Sequence, residues 1–187
     1  MDSSSEAPQP QDPSVPQATA APPPTPSPSL DPAKVKNYVA RLRDQQNLGL
    51  GLAGGAIGAA VGAAAWAIIT ALTNFQIGWE AVGVGFLTGY GVRILGKGID
   101  RVFGYAGAVL SLLGCVAGNV LSTMIVVSTR QNIAFGDLAA HMTPGIAWRM
   151  LVADFSPIDI LFYGLGIYYG YRYSFHRISR EELAGLT

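Results

Sequence analysis

Charge is scarce in this chain. Charged residues make up 13% of 187 positions, and twelve Lys+Arg balance twelve Asp+Glu to a formal net charge of zero. That share is roughly half of what soluble domains carry. It excludes an ordinary soluble domain, and the missing basic excess argues against a nucleic-acid partner. Cysteine is rarer still. Cys115 is the single one, so there is no internal disulfide and no zinc ribbon. It lies in an apolar run and reads as a small packing residue, with a reactive thiol as the alternative. The two histidines, His141 and His176, stand far apart. Asp137 and His141 sit at i, i+4 and share a helix face, but two ligands are too few for a metal site. No Walker A loop or G-x-S-x-G elbow occurs. Gly83-Val84-Gly85 is followed by Gly89, which breaks the dinucleotide fingerprint. The expectation is a non-enzymatic protein with no catalytic residue, no metal and no cofactor.

What is present is apolar. Hydrophobic residues reach 50% and mean hydropathy is +0.32, despite a polar start. The class is an all-α membrane protein, and its first partner is the lipid bilayer.

Residues 1–32 hold ten of the twelve prolines and no glycine, lysine or arginine. Such a segment cannot bury enough surface to offset its ordering entropy, so a disordered, cytoplasmic tail with polyproline II character is expected. It lacks the basic start and apolar core of a secretory signal. Pro10-Gln11-Asp12-Pro13 and Pro13-Ser14-Val15-Pro16 fit P-x-x-P, but no basic residue flanks them, and a plain tether is the simpler reading. Residues 33–48 then read as an amphipathic juxtamembrane helix, entered through Asp31-Pro32. Val35, Val39 and Leu42 mark one face, while Lys34, Lys36, Arg41 and Arg43 supply charge. Each basic residue near anionic lipid adds about 1 kcal/mol of attraction.

The remainder predicts a four-span helical bundle over 49–176, with spans at about 49–72, 79–96, 102–127 and 158–175. The first and third are long uncharged runs. The second and fourth have uncharged cores of only 81–92 and 160–171, so they cross only if the flanking charges sit at the interfaces or the bilayer thins. Basic residues alternate between connections. Four precede the first span, none lies in 73–80, Lys97 and Arg101 follow the second, and Arg177 and Arg180 follow the fourth. By the positive-inside rule both termini, including 177–187, are cytoplasmic. Arg130 and Arg149 are the outside exceptions. Trp79 falls at an outer edge and Tyr168, Tyr169, Tyr171 and Tyr173 at an inner one, as interfacial aromatic residues do.

All 23 glycines lie at or after position 49. In the first span Gly51, Gly55, Gly58, Gly62 and Ala65 recur at spacings that hold one helix face. In the third, Gly107, Ser111, Gly114 and Gly118 do the same. Gly85 and Gly89 form a GxxxG in the second span, and Gly166 and Gly170 one in the fourth. Small residues let backbones approach where lipid supplies no hydrophobic drive. So many seams predict assembly beyond one chain, as a homo-oligomer or with other membrane proteins. The seams also repeat. Gly51, Gly55, Gly58 and Gly62 map onto Gly107, Ser111, Gly114 and Gly118 at an offset of 56, and Gly83, Gly85, Gly89 onto Gly164, Gly166, Gly170 at 81. The pattern implies two tandem helical hairpins related by an axis along the membrane normal, with an insertion in the second. Within the insertion, Thr143-Pro144 opens an interfacial helix expected over about 144–154.

Ionisable and polar groups at the spans are candidates for a solute path: Glu80, Asn119 and Asp159. Each has a structural alternative. Glu80 meets the positive end of a helix dipole. Ser156-Pro157-Ile158-Asp159 resembles a capping box. Asn119 finds an interhelical hydrogen bond. Arg93 and Arg172 can snorkel at the inner ends.

The stretches Val84–Asp100 (VGFLTGYGVRILGKGID), Leu113–Leu121 (LGCVAGNVL) and Asp159–Gly164 (DILFYG) resemble a widespread family of small bacterial multi-pass membrane proteins without an established activity. The resemblance covers about residues 49–175. It implies a bacterial inner-membrane location and supplies no catalytic residue. Some members carry an N-terminal zinc ribbon, which is absent here, so no role of that ribbon transfers. The leading expectation is a structural or interaction protein that assembles through glycine seams. The competing one is a small channel or transporter component.

Overall fold

The computed structural model describes residues 31–73, 78–176, 178–179 and 181–182. The tail up to residue 30, Gln76, Arg177 and Arg180 lie outside the described residues, and so do the expectations placed on them. Among the described residues the chain is all-helical, with seven helices and no strand. They are α1 (Pro32–Gln45), α2 (Leu48–Thr73), α3 (Glu80–Gly96), α4 (Arg101–Gln131), α5 (Phe135–Ala140), α6 (Pro144–Asp154) and α7 (Pro157–Tyr173).

Local chemistry sets the ends. The Asp31 carboxylate accepts from Ala33 N–H at 2.9 Å, and Pro32 pre-sets the first turn of α1. Thr143 caps α6 by accepting from Ile146 N–H at 3.3 Å, with Pro144 behind it. At α7, Asp159 accepts from Ser156 N–H at 2.7 Å, closing the back half of a capping box. The helices α3 and α4 stop on left-handed residues that are not glycine, Lys97 at φ 48° and Asn132 at φ 54°. The short α5, with no capping side chain, has no counterpart in the sequence reading.

Two described helices are long and apolar enough to cross a membrane: α2, with 26 residues, and α4, with 31. A third candidate arises only if α6 and α7 form one span, and these two are bent by 115°. The helices α3 and α7 have 17 residues each, about 26 Å at 1.5 Å per residue, the short limit for spanning.

Four helices pack together. Gly51 lies by Gly96 and Gly62 by Val84, so α2 and α3 run antiparallel. Gly107 lies by Gly170 and Ser111 by Gly166, so α4 and α7 do too. The two hairpins stand side by side with like helices parallel. Gly114 and Gly118 of α4 meet Ala59 and Ala63 of α2, and Gly85 and Gly89 of α3 meet Gly166 and Gly170 of α7. Contacts of α3 with α4 close the short diagonal.

The end where α1 joins carries a polar clasp. Asp100 accepts from Gln46 Nε2 at 2.7 Å and from Arg43 at 3.1 Å, and Asn47 N–H donates to Gly96 O at 2.9 Å. Hydrogen bonding from Gln46, helped by Arg43, holds the Asp100 carboxyl below its ordinary pKa. His176 docks on the same end. Its N–H donates to Gly98 O at 2.8 Å, and Arg93 meets its Nδ1 at 2.9 Å. Arginine only donates, so Nδ1 accepts and the ring proton sits on Nε2, which faces Glu182 at 3.1 Å. The Ser179 N–H and then His176 keep Glu182 below its usual range.

Candidate functional site

The packing glycines build the bundle's interior. All eleven seam glycines named from the sequence except Gly58 are buried, and Gly58 is half-buried. At each, a β-carbon would collide with another part of the same chain, or, at Gly51, press on Phe103 at 3.1 Å. At Gly58 it would strike Leu87 O, and at Gly85, Gly166 O. At Gly89 it would lie 2.8 Å from Gly170 O, and at Gly166, 2.7 Å from Ala81 O. At Gly55 it would meet Val92 and Leu110 side chains, and at Gly114, Val84 and Ala59. The seams are therefore filled within one chain. Each of these eleven glycines faces another helix of the same chain, because each central helix touches two or three neighbours and uses small residues toward each.

Two members of these interfaces escaped the sequence reading. Gly54 and Gly91 face each other, each so close that a β-carbon would overlap the other's carbonyl oxygen. A second stripe, Gly54-x-x-x-Gly58, was the available signal. It is the face α2 turns to α3, which Gly62 continues at Val84, while Ala59 and Ala63 meet α4 and Gly55 lies between the two.

Ser111 and Cys115 continue the α4 face. Ser111 Oγ donates to Gly166 O at 2.9 Å, and Cys115 Sγ lies 3.7 Å from Ala81 O. Cys115 is fully buried, in keeping with a packing role rather than an accessible thiol.

Of the three polar candidates, the structure separates one from two. Asp159 is engaged as the α7 cap. Glu80 and Asn119 are not so explained. Both carboxylate oxygens of Glu80 and Oδ1 of Asn119 are shielded from solvent and lack a hydrogen-bond partner among the described residues. Glu80 opens α3, yet its carboxylate caps nothing there. Asn119 is 4% exposed, and its carbonyl makes none of the interhelical bonds expected of it.

Trp66, which the sequence reading passed over, shares this condition. It is 3% exposed, and its indole N–H also lacks a partner among the described residues. Gly118 packs on its ring, and a β-carbon there would lie 2.9 Å from Cε3. Trp66, Ala81, Val84 and Cys115 form a core cluster, with Phe162 and Tyr163 against it. On the α2–α3 side Trp66 and Glu80 line a cavity of about 100 Å³ together with Ile69, Gly83 and Leu87. Nearby, Thr70 and Ser122 hydroxyls pair across α2 and α4 at 3.3 Å. The signal available in the sequence was an indole N–H inside an uncharged run, since a buried one normally finds a partner.

Asp137 and His141 do not pair through their side chains. His141 Nδ1 meets the Asp137 backbone oxygen at 2.8 Å, not its carboxylate. Among the described residues no group of three or more His, Cys, Asp or Glu is placed to hold a metal ion.

No family model, no curated protein and no solved structure matches this chain.

Proposed function

We propose that this chain is a four-span integral protein of a bacterial inner membrane, with both termini cytoplasmic, acting as a non-enzymatic structural or interaction component. The observation that carries this reading is the ring of backbone approaches through glycine that joins α2, α3, α7 and α4. Helices in lipid gain nothing from hiding apolar side chains, so close backbone contact is what holds such a bundle. The alternating directions of the four helices support four crossings. Arg43, Arg93, Lys97, Arg101 and Arg172 belong to the end where α1 joins, while Arg130 lies in the last turn of α4 and Arg149 in α6, which supports a cytoplasmic α1 end. The quoted family resemblance supports the bacterial inner membrane. Because its seams are filled, a partner or a second copy would meet the outward sides, where Ile57, Val61, Ile68 and Val109 are exposed.

The test is accessibility. In a Cys115→Ala background, single cysteines at Gln76 and Lys97 should react with an impermeant thiol reagent from opposite sides of sealed vesicles. Reaction from one common side removes the four-span reading.

A second reading, a small channel or transporter component, is favoured by the unpartnered polar atoms of Trp66, Glu80 and Asn119. Flux into liposomes that Asn119→Leu abolishes would select it. No flux across a broad solute panel would select the structural role.

A further inference from the structure

The cavity between α2 and α3 is lined by two residues that carry an unsatisfied acceptor and an unsatisfied donor. Glu80 offers two carboxylate oxygens and Trp66 one indole N–H, and both residues line the same space. Buried polar groups without a protein partner are ordinarily served by water or a ligand. We propose that this cavity is a hydrated proton-exchange site, with Glu80 as the group that takes up and releases the proton and Trp66 as the donor that anchors bridging water.

Size and chemistry select the occupant. The cavity measures about 100 Å³, and one water needs about 10–15 Å³ of such space. Several waters fit. The remaining walls, Ile69, Val84, Leu87, Ala65 and two glycines, are apolar or bare. An occupant must therefore donate to Glu80 and accept from Trp66 while asking nothing else of the walls, which water does. The exchange is balanced without a co-reactant: a hydronium ion gives its proton to a Glu80 carboxylate oxygen and leaves as water, and release reverses this.

Few other groups titrate beside it. The helix α2 carries no ionisable residue. From α4 comes Cys115, buried at Ala81. From α7 come Tyr163, packed on the Trp66 cluster, and Asp159, held at the Ser156 cap. No lysine or arginine lies in α4 between Val102 and Thr129.

The site rests on the membrane placement of α2 and α3, which labelling at Gln76 and Lys97 examines separately. The full chain, with Trp79→Phe and Trp148→Phe so that Trp66 alone emits, is reconstituted in lipid nanodiscs and titrated with acid. Emission should change in one step. Glu80→Gln should abolish that step, and Glu80→Asp should keep it with a moved midpoint. No step in the parent, or an unchanged step in Glu80→Gln, overturns the site. As a second readout, dicyclohexylcarbodiimide should form an adduct at Glu80, found by peptide mass spectrometry. Absence of that adduct overturns the site even where every variant folds.

Discussion

The two halves of the bundle are packed by different means. Toward the α1 end, backbone lies on backbone: Gly51 on Gly96, Gly54 on Gly91, Gly89 and Gly107 on Gly170. Hydroxyls there are used, with Ser174 donating to Gly170 O. Toward the other end, Trp66, Phe162 and Tyr163 pack in the bundle, and Trp66 and Glu80, whose indole N–H and carboxylate lack partners among the described residues, line a cavity between α2 and α3. Close approach serves stability, since it brings many atoms into contact. Unpartnered buried polar groups oppose it. A chain that keeps both has one half that secures the fold and another that carries a cost, which is where function is to be sought.

The largest effect should come from breaking a contact of backbone on backbone. Gly54→Leu and Gly85→Leu place a side chain onto a backbone carbonyl of the facing helix, Gly91 and Gly166 respectively. Backbone cannot rotate aside as a side chain can, so overpacking here should exceed the usual 1–3 kcal/mol. Loss of cooperative thermal unfolding in detergent is the expected readout. Gly114→Leu should be milder, within about 1–3 kcal/mol, because its nearest neighbour is a Val84 side-chain methyl at 2.8 Å, with Ala59 Cβ and Cα at 3.0 and 3.3 Å and no carbonyl oxygen. Equal losses at all three positions would erase the distinction between backbone and side-chain contact.

The loose half should respond with the opposite sign. Glu80→Gln replaces a carboxylate that lacks a protein partner by a neutral amide of the same shape, which costs less to bury than a charge, so the bundle should gain stability. Destabilisation in the same unfolding assay would mean that Glu80 is held by a bond the described residues do not supply. Stability gained at a functional group is a familiar trade.

How much of this division the sequence carried depends on what each feature needs. The helix limits were legible because charged residues, prolines and caps bracket the apolar runs, as at Glu80, Lys97 and Ser156-Pro157. The 81-residue offset was legible as a pattern, and the structure places those paired glycines, Gly85 with Gly166 and Gly89 with Gly170, against each other. Gly54 and Gly91 were missed because a single stripe per helix was followed, whereas a helix with two neighbours needs two. The six-residue α5 offers neither a period nor a capping side chain. The Trp66–Glu80 pairing needs the hairpin register. The register that sets Gly62 on Val84 sets Trp66 opposite Glu80 one turn further along both helices, but no local pattern announces that register.

A smaller effect belongs to the clasp at the α1 end. Asp100 titrates below its ordinary value because Gln46 and Arg43 bond its charged form. A depressed folded value contributes stability above the unfolded pKa and loses it as pH falls through the folded one. The docking of α1 should therefore hold at neutral pH and loosen only below the normal aspartate range. Asp100 is more than a third exposed, so solvent screening keeps the contribution slight. Asp100→Asn should remove the pH dependence of a spin-label distance between α1 and α4 while leaving bundle unfolding unchanged.

The smallest effect on stability is also the sharpest comparison. Gly83 and Gly164 are equivalent under the 81-residue offset, and a β-carbon at either meets nothing within 4 Å. Leucine at either position should alter unfolding least, since its β-carbon meets no neighbour within 4 Å. Yet Gly83 borders the cavity that Glu80 and Trp66 line, while Gly164 lies on the other hairpin. Gly83→Leu should therefore occlude the cavity and slow carbodiimide labelling of Glu80, and Gly164→Leu should not. Equal labelling in the two variants would mean that the approach to Glu80 does not run between α2 and α3, and the contrast between a closed half and an accessible one would have to be drawn elsewhere in the bundle.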